Sequence, residues 1–289
     1  SADLCAYFFL RAFENLKQGA AFGLIATNSI AQGDTREVGL DYLVSQGAFI
    51  YNAVNNHPWP GAAAVAVDVV HISRALPGLQ PVLDGQPTEY ISSLLDSRHV
   101  YGSPHPLAAN AGKGHMGSNV VGVGFTIEPA AAEALIAKDL RNREALFPYL
   151  NGEDLNSSPS QQPSRWIVNF FDWPLTRAEL YPDLMAIVRE RVFPERKDKP
   201  GNYSRLWWQY GRRQERLYDA VFGLRRVLVT ALTSKYLSFT FVEPGWVYAH
   251  ACGVFAFETA DKFAILQSVH HEAWARKYGS TLETRLRYT

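Results

Sequence analysis

Residues 21–36 read AFGLIATNSIAQGDTR, and this stretch decides the fold class. Its first part, 21–27, is a continuous apolar run of strand length, suited to a buried parallel strand. Asp34 followed three residues later by Glu37 is a capping-box pattern, which opens a helix running to about Gln46. Before it, Leu4, Phe8, Phe9, Ala12, Phe13 and Leu16 recur at helical spacing. Residues 3–16 therefore read as an amphipathic helix that Gly19 ends. After it, Phe49 to Val54 is a short strand and 64–73 (AVAVDVVHIS) a longer β-branched one. The turn-rich stretch Asn55 to Gly61 joins them too tightly for a helical crossover, so they pair antiparallel. Helix, strand, helix, strand, strand is the closing half of an open α/β sheet. A sheet cut at that point exposes apolar strand edges, so 1–75 is expected to depend on a missing part or on unusual packing.

Residues 76–112 are rich in Pro, Gly, Ser and Asn and read as a linker with little regular structure. A second domain, 113–289, follows. Its expected elements are a strand at 119–127, a helix at 129–137, a loop at 148–164 and a strand at 165–171. Long helical stretches follow near 175–192 and 203–222, then strands at 226–232, 236–242 and 246–257. A last helix runs from about Asp261 to Tyr278.

The chain has 289 residues, nearly half of them hydrophobic, enough for one large or two ordinary domains. Its two cysteines, Cys5 and Cys252, are far apart, which argues against a disulfide framework or zinc ribbon and fits a bacterial cytoplasm. No apolar run approaches the ~20 residues needed to span a bilayer. The formal net charge is zero, but its distribution is uneven. Residues 1–100 hold five Lys/Arg against nine Asp/Glu, and residues 165–226 hold thirteen against eight. That asymmetry points to a basic surface on the second half or to an Arg-rich solvated helix face.

Several motifs fail on context. Gly112-Lys113-Gly114-His115-Met116-Gly117 matches GxGxxG, but a loop precedes it and a strand-like run follows, the reverse of a dinucleotide site. His270-His271-Glu272 begins like HExxH without a second His in place. No metal-ligand spacing of His occurs and no GxSxG elbow.

Seven stretches, in order, resemble the adenine-N6 DNA methyltransferases of the type IIG or MmeI-like restriction-modification class. They are 2–16, 22–36, the PWPG of 58–61 before 65–73, 146–156 (LFPYLNGEDLN), 165–174 (RWIVNFFDWP), 224–235 (LRRVLVTALTSK) and 273–288. The resemblance implies that 1–75 is the C-terminal half of a SAM-dependent, Rossmann-like catalytic sheet. It implies that 113–289 is an α+β, TaqI-like target-recognition domain. S-adenosyl-L-methionine would be the cofactor of a longer parent, double-stranded DNA its partner, and Mg²⁺ would serve a nuclease domain outside this chain. The family's Gly-rich SAM motif and (N/D)PP(Y/F) motif do not occur in this sequence, so the chain reads as a fragment inactive alone. The alternative is a DNA-specificity module that never binds SAM.

The resemblance assigns roles to particular residues. Phe8 either lines the SAM adenine pocket or belongs to the apolar stripe of its helix. Asp3 is expected to cap that helix. Trp59, between two prolines, takes the place of the aromatic residue that stacks on a flipped adenine. Asn28 lies at the carboxyl edge of the sheet or simply makes a turn. Arg212, Arg213, Arg225, Arg226 and Lys235 are candidate DNA contacts or plain surface charges. Of Arg225 and Arg226, one is expected to face solvent and the other to be paired. Trp207 and Trp208 are expected in the core.

Overall fold

The computed structural model describes residues 2–63, 65–74, 78–97, 104–105, 107–282 and 285–288. The chain divides into two compact units, Ser1–His105 with Ala273–Thr289, and Pro106–Glu272. The contacts thus end the second unit before residue 289. The last strand pair, Ser280–Leu282 and Arg285–Arg287, belongs with the first unit. Its tie is polar: Gln32 accepts from the Thr281 N–H at 2.8 Å and donates to the Thr281 hydroxyl at 3.0 Å.

The first unit begins with helix α1 (Leu4–Glu14) and strand β1 (Ala21–Thr27). A helical run follows as α2 (Gly33–Arg36), a π turn (Glu37–Asp41) and α3 (Tyr42–Ser45). Its N-cap is Gln32, so Asp34 sits in the first turn and the expected capping box is not made. A carboxylate there still favours the positive end of the helix. Strands β2 (Ala48–Pro58) and β3 (Ala66–Arg74) pair antiparallel, as their tight connection requires. The sheet order is β1-β3-β2-β4-β5, where β4 is Val82–Leu83 and β5 is Gln86–Pro87.

β1 departs from expectation. It runs antiparallel to β3, not parallel, and ends the sheet order with β3 as its one partner among the described residues. Phe22, Leu24 and Ala26 face the core while Ile25 is 59% exposed. An apolar run alone does not say whether both faces are covered. On the inner face, Phe9, Phe13, Leu40, Leu43, Ile50, Val70 and Ile72 form the core. The segment read as a linker is also partly ordered. Asp84 and Gly85, both at positive φ (50° and 76°), make the two-residue turn of the β4–β5 hairpin. Ile91 and Leu95 join the core. Residues 76–77, 98–103 and 106 of that segment lie outside the described residues.

The second unit holds two four-stranded sheets, ordered β12-β10-β14-β6 and β13-β8-β9-β7. In chain order its elements are β6 (Gly114–Met116), β7 (Thr126–Ile127), α4 (Pro129–Lys138), β8 (Leu146–Leu150), α5 (Gly152–Ser157), β9 (Arg165–Val168), α6 (Leu175–Ala178) and α7 (Pro182–Arg191). Then come α8 (Phe193–Arg196), α9 (Asn202–Arg205), α10 (Glu215–Val221), β10 (Val227–Ala231), β11 (Thr233–Ser234), β12 (Phe239–Val242), β13 (Val247–Tyr248), β14 (Cys252–Phe255), α11 (Ala260–Leu266) and α12 (Val269–Tyr278), whose residues from Ala273 onward are counted with the first unit.

Five expectations change. The 119–127 strand shrinks to β7. The 148–164 loop contains α5, opened by a capping box between Asn151 and Asp154. The long helix at 175–192 is two helices, because Pro182 starts a new one at its first turn. The helix near 203–222 is interrupted where Trp207, Trp208, Gln209 and Tyr210 are all buried. Successive buried side chains cannot share one helical face. Instead Trp208 and Gln209 donate to the Trp173 carbonyl and Tyr210 to that of Val168. The last helix breaks at Gln267, whose side chain accepts from the Phe239 N–H and donates to the Leu237 carbonyl.

Arg196 is 1% exposed and holds the loops of this unit together, donating to the carbonyls of Val120, Val121, Trp207 and Gln209. Arg196→Ala would strand four carbonyls and leave a cavity. We expect it to lower urea-unfolding stability by on the order of 3 kcal/mol. A loss below about 1 kcal/mol would mean the loops hold without it.

Candidate functional site

β1 runs into a 3-10 turn, Asn28–Ala31, so its carboxyl end gathers short polar side chains. Asp3 stands at the N-cap position of α1 but makes no side-chain cap. Its carboxylate instead accepts from Ser29 Oγ at 3.0 Å and Thr27 Oγ1 at 3.4 Å, so the capping role expected for it is not the one it plays. The Asp3 N–H donates to Thr35 Oγ1. Asn28 is buried and does more than turn the chain. Its Nδ2 donates to Asn56 Oδ1 at 2.7 Å and to Thr281 Oγ1 at 3.2 Å.

Asn56 lies on β2 where its register shifts between Val54 and His57. Its φ is +51°, a conformation Asn tolerates better than most residues. The Asn56 N–H donates to Asp68 Oδ1 at 2.8 Å, and the Asn55 N–H to Asp84 Oδ1 at 2.8 Å. Asp68 is fully buried, and its other oxygen has no hydrogen-bond partner among the described residues. Burial pushes its carboxyl up to about 6; the Asn56 amide works against that shift and Asp84 adds to it.

Beyond Pro58 the arm turns at Trp59, whose N–H closes the hairpin on the Val65 carbonyl at 3.0 Å. The indole is 44% exposed and lies over Gly61. A Cβ at Gly61 would sit 2.5 Å from Trp59 Nε1, so only glycine admits the ring in this pose. Trp59 is therefore presented at the same end of the sheet as Asn28, Asn56 and Asp68. Phe8 is 69% exposed, beside Leu4 and Tyr7 on the outer face of α1. The reading of Phe8 and Leu4 as core residues fails. The buried face of α1 is Ala6, Phe9 and Phe13.

In the second unit the candidate cations sit on three segments. Arg212 and Arg213 precede α10. Arg212 exchanges backbone hydrogen bonds with Asn119, and its side chain is exposed. Arg213 pairs with Glu215 at 2.5 Å and, with Arg196 and Arg216, lines a cavity of about 540 Å³. Arg225 and Arg226 precede β10, and both are exposed. Arg225 lies 3.8 Å from Glu258; the Arg226 guanidinium stacks 3.8 Å above Phe241 and donates to the Glu258 carbonyl. Lys235 is exposed after β11, 5.2 Å above the Tyr236 ring. Trp207 and Trp208 are buried.

In the 112–117 stretch Gly112 adopts a positive φ of 71° and Gly117 is set by packing. A Cβ at Gly117 would lie 2.1 Å from the Ala249 carbonyl oxygen. Cys252 is buried, which pushes its thiol up to about 12. Among the described residues, no group of His, Cys, Asp and Glu could hold a metal ion. None of their helices is long and apolar enough to cross a membrane. Sequence reasoning missed Asp68 and Asp84. The signals were present: a carboxylate inside the β-branched strand AVDVVHIS, and the Asp84-Gly85 pair between two short strands.

Over 99% of its length the chain shares its fold with part of a solved restriction-modification enzyme. That enzyme is the Type IIL MmeI, determined in complex with DNA; the TM-score is 0.78 at 17% identity. The chain spans 40% of the MmeI chain. A second match, the type IIG restriction endonuclease BpuSI, has 13% identity over 98% of this chain and 40% of that one, and its TM-score of 0.33 carries no argument. No protein-family model matches the sequence, and no curated protein matches it by sequence.

The Asp68 carboxyl is raised above its ordinary 3.8, so the folded state holds its proton more tightly than the unfolded state. This contribution is therefore favourable at low pH and lost as pH rises from about 4 to about 6, by on the order of 3 kcal/mol. Asp68→Asn removes the ionisation. Its melting temperature should exceed wild type at pH 7.5 and converge with it near pH 4. Parallel curves across that range would place the Asp68 charge in solvent.

Proposed function

We propose that this chain is part of a longer, site-specific DNA adenine-N6 methyltransferase of a restriction-modification system. In this reading the first unit is the closing half of a Rossmann-like catalytic sheet, and the second is the DNA target-recognition domain. The observation that carries the proposal is the likeness to MmeI, an enzyme solved with DNA bound, over 99% of this chain. The half-exposed Trp59 just beyond the carboxyl end of β2 supports it independently.

An adenine in duplex DNA hides its exocyclic amine in the stack, so methyl transfer requires extrusion of the base. Trp59 offers an aromatic face that offsets the lost stacking. The polar group Asn28, Asn56 and Asp68 stiffens the edge beneath it. Methyl transfer of this kind needs positioning and no protein nucleophile. S-adenosyl-L-methionine would supply the methyl group. The residues here give it one exposed aromatic wall, Phe8, and the sequence holds no glycine cradle for methionine and ribose. They do not form a SAM site by themselves, and the chain alone is expected to transfer no methyl group. Mg²⁺ belongs to a nuclease domain outside this chain.

Lys235, Arg225, Arg226, Arg212 and Arg213 are the proposed DNA contacts. A second reading, a specificity module that binds DNA without SAM, is favoured for the isolated chain by the missing SAM and (N/D)PP(Y/F) motifs. The two readings part on whether the longer parent methylates DNA.

The isolated chain should bind duplex DNA electrostatically. Lys235→Ala should flatten the dependence of log K on log salt by about one unit if the ammonium neutralises a phosphate. Absence of duplex binding at low salt would sink the recognition role. In the parent enzyme, Trp59→Ala should reduce methylation about 5- to 150-fold, matching roughly 1–3 kcal/mol of base stacking, with little change in duplex binding. Trp59→Phe should keep much of the rate. Equal loss of binding and methylation would point to a folding defect in place of stacking.

A further inference from the structure

A β-bulge leaves amides on the bulged strand without ladder partners. In β2 the register shift between Val54 and His57 does this at Asn55 and Asn56. Both amides are taken up by carboxylates, and each carboxylate comes from a different neighbour. Asp84, in the β4–β5 turn, accepts from Asn55; Asp68, inside β3, accepts from Asn56. We infer that Asp68 and Asp84 are positioning residues that clamp the bulge and so set the direction of the arm carrying Trp59. The inference rests on the stacking role proposed for Trp59.

The geometry gives the clamp its effect. Past the bulge, His57 and Pro58 pair with Val67 and Ala66, and Trp59 follows at once. No further bend intervenes, so the path at Asn55–Asn56 decides which way the indole faces. Loss of the bulge would slip every following residue by one against β3 and turn its side chain to the opposite face of the strand. Charge-assisted bonds to two consecutive amides oppose such a slip. Asn56 is tied again through its side chain, which accepts from Asn28. Asp68 also costs the fold something. One of its oxygens is buried without a partner among the described residues, and its charge is desolvated. An apolar residue there would avoid that cost, and it would leave the Asn56 amide stranded and the arm free to shift.

The test is made on the full 289-residue chain labelled with 5-fluorotryptophan and read by fluorine NMR. Trp59→Phe assigns the Trp59 signal among the seven tryptophans. Asp84→Gly removes one acceptor while keeping the positive φ of the turn. Asp68→Leu removes the other and fills its space. Both should move or split the Trp59 resonance by more than its linewidth, leaving the other six in place. Asp84→Asn and Asp68→Asn retain an acceptor oxygen and should return the signal to its wild-type position. An unmoved Trp59 signal in folded Asp84→Gly overturns the inference, even if its melting temperature falls. Should Asp68→Leu fail to fold, the exposed turn variant Asp84→Gly decides alone. The readout involves no DNA, so it stands or falls separately from base stacking, which the methylation rate of Trp59→Ala tests.

Discussion

Two adjacent backbone amides in β2, left without a ladder partner, govern the arrangement of the candidate site. The bond from Asn56 is partly buried and that from Asn55 exposed, and the more an N–H is removed from water the more an unmade hydrogen bond costs. The chain meets this demand with Asp84 from one side and Asp68 from the other. Asp84 serves only because an Asp-Gly hairpin brings its carboxylate beside β2. Asp68 serves at the expense of a buried charge. The conformation of Asn56 then brings its side chain to Asn28, and Asn28 reaches Thr281 of the last strand pair. A local irregularity in one strand is thereby connected to residues more than two hundred positions away.

The second unit is held by a different device. Its interrupted segment 206–214 carries large aromatic side chains with no common face, and the backbone follows their burial. Arg196 compensates by binding four carbonyls from two loops. Burial of a guanidinium without an ion pair among the described residues is costly, and the carbonyl dipoles compensate it together with the rings of Phe125 and Tyr203, 5.0 and 5.8 Å away. Of the candidate cations, Arg225, Arg226 and Lys235 lie on other segments, whereas Arg212 and Arg213 belong to this one and Arg213 lines the same cavity as Arg196.

Several strained or costly features lie around the site in the first unit, and others, among them the positive φ of Val121, lie in the second. Asn56 and Asp84 adopt positive φ, Asp68 carries an unpartnered oxygen, and Trp59 needs a glycine beneath its ring. Such features persist only where surrounding structure holds them, and in natural proteins they cluster at functional positions. Apolar surface is exposed in the same unit, at Leu4, Tyr7, Phe8 and Ile25, on α1 and the terminal strand β1. Surface of that kind commonly marks a place where protein meets protein or ligand.

By itself the sequence determined the order helix, strand, helix, strand, strand, the antiparallel pairing of β2 with β3, and the position of Trp59 at the hairpin end. These follow from local periodicity and from a connection too short for a crossover, information that neighbouring residues carry. Tertiary structure decided the rest. The apolar run of β1 reads the same whether its neighbour is parallel or antiparallel, and only packing leaves Ile25 outside. Helical spacing could not say which of two apolar stripes on α1 faces the core, so Phe9 is buried while Phe8 and Leu4, on the same apolar spacing, are exposed. Asp3 had the sequence of a cap, yet the hydroxyls of Thr27 at the end of β1 and Ser29 beyond it donate to its carboxylate. Most of all, Asp68, Asp84 and Asn56 meet only after the sheet has assembled. Hydrogen bonds between residues 12 and 29 positions apart leave no periodic trace in the chain, because the spacing that matters is across strands and not along them.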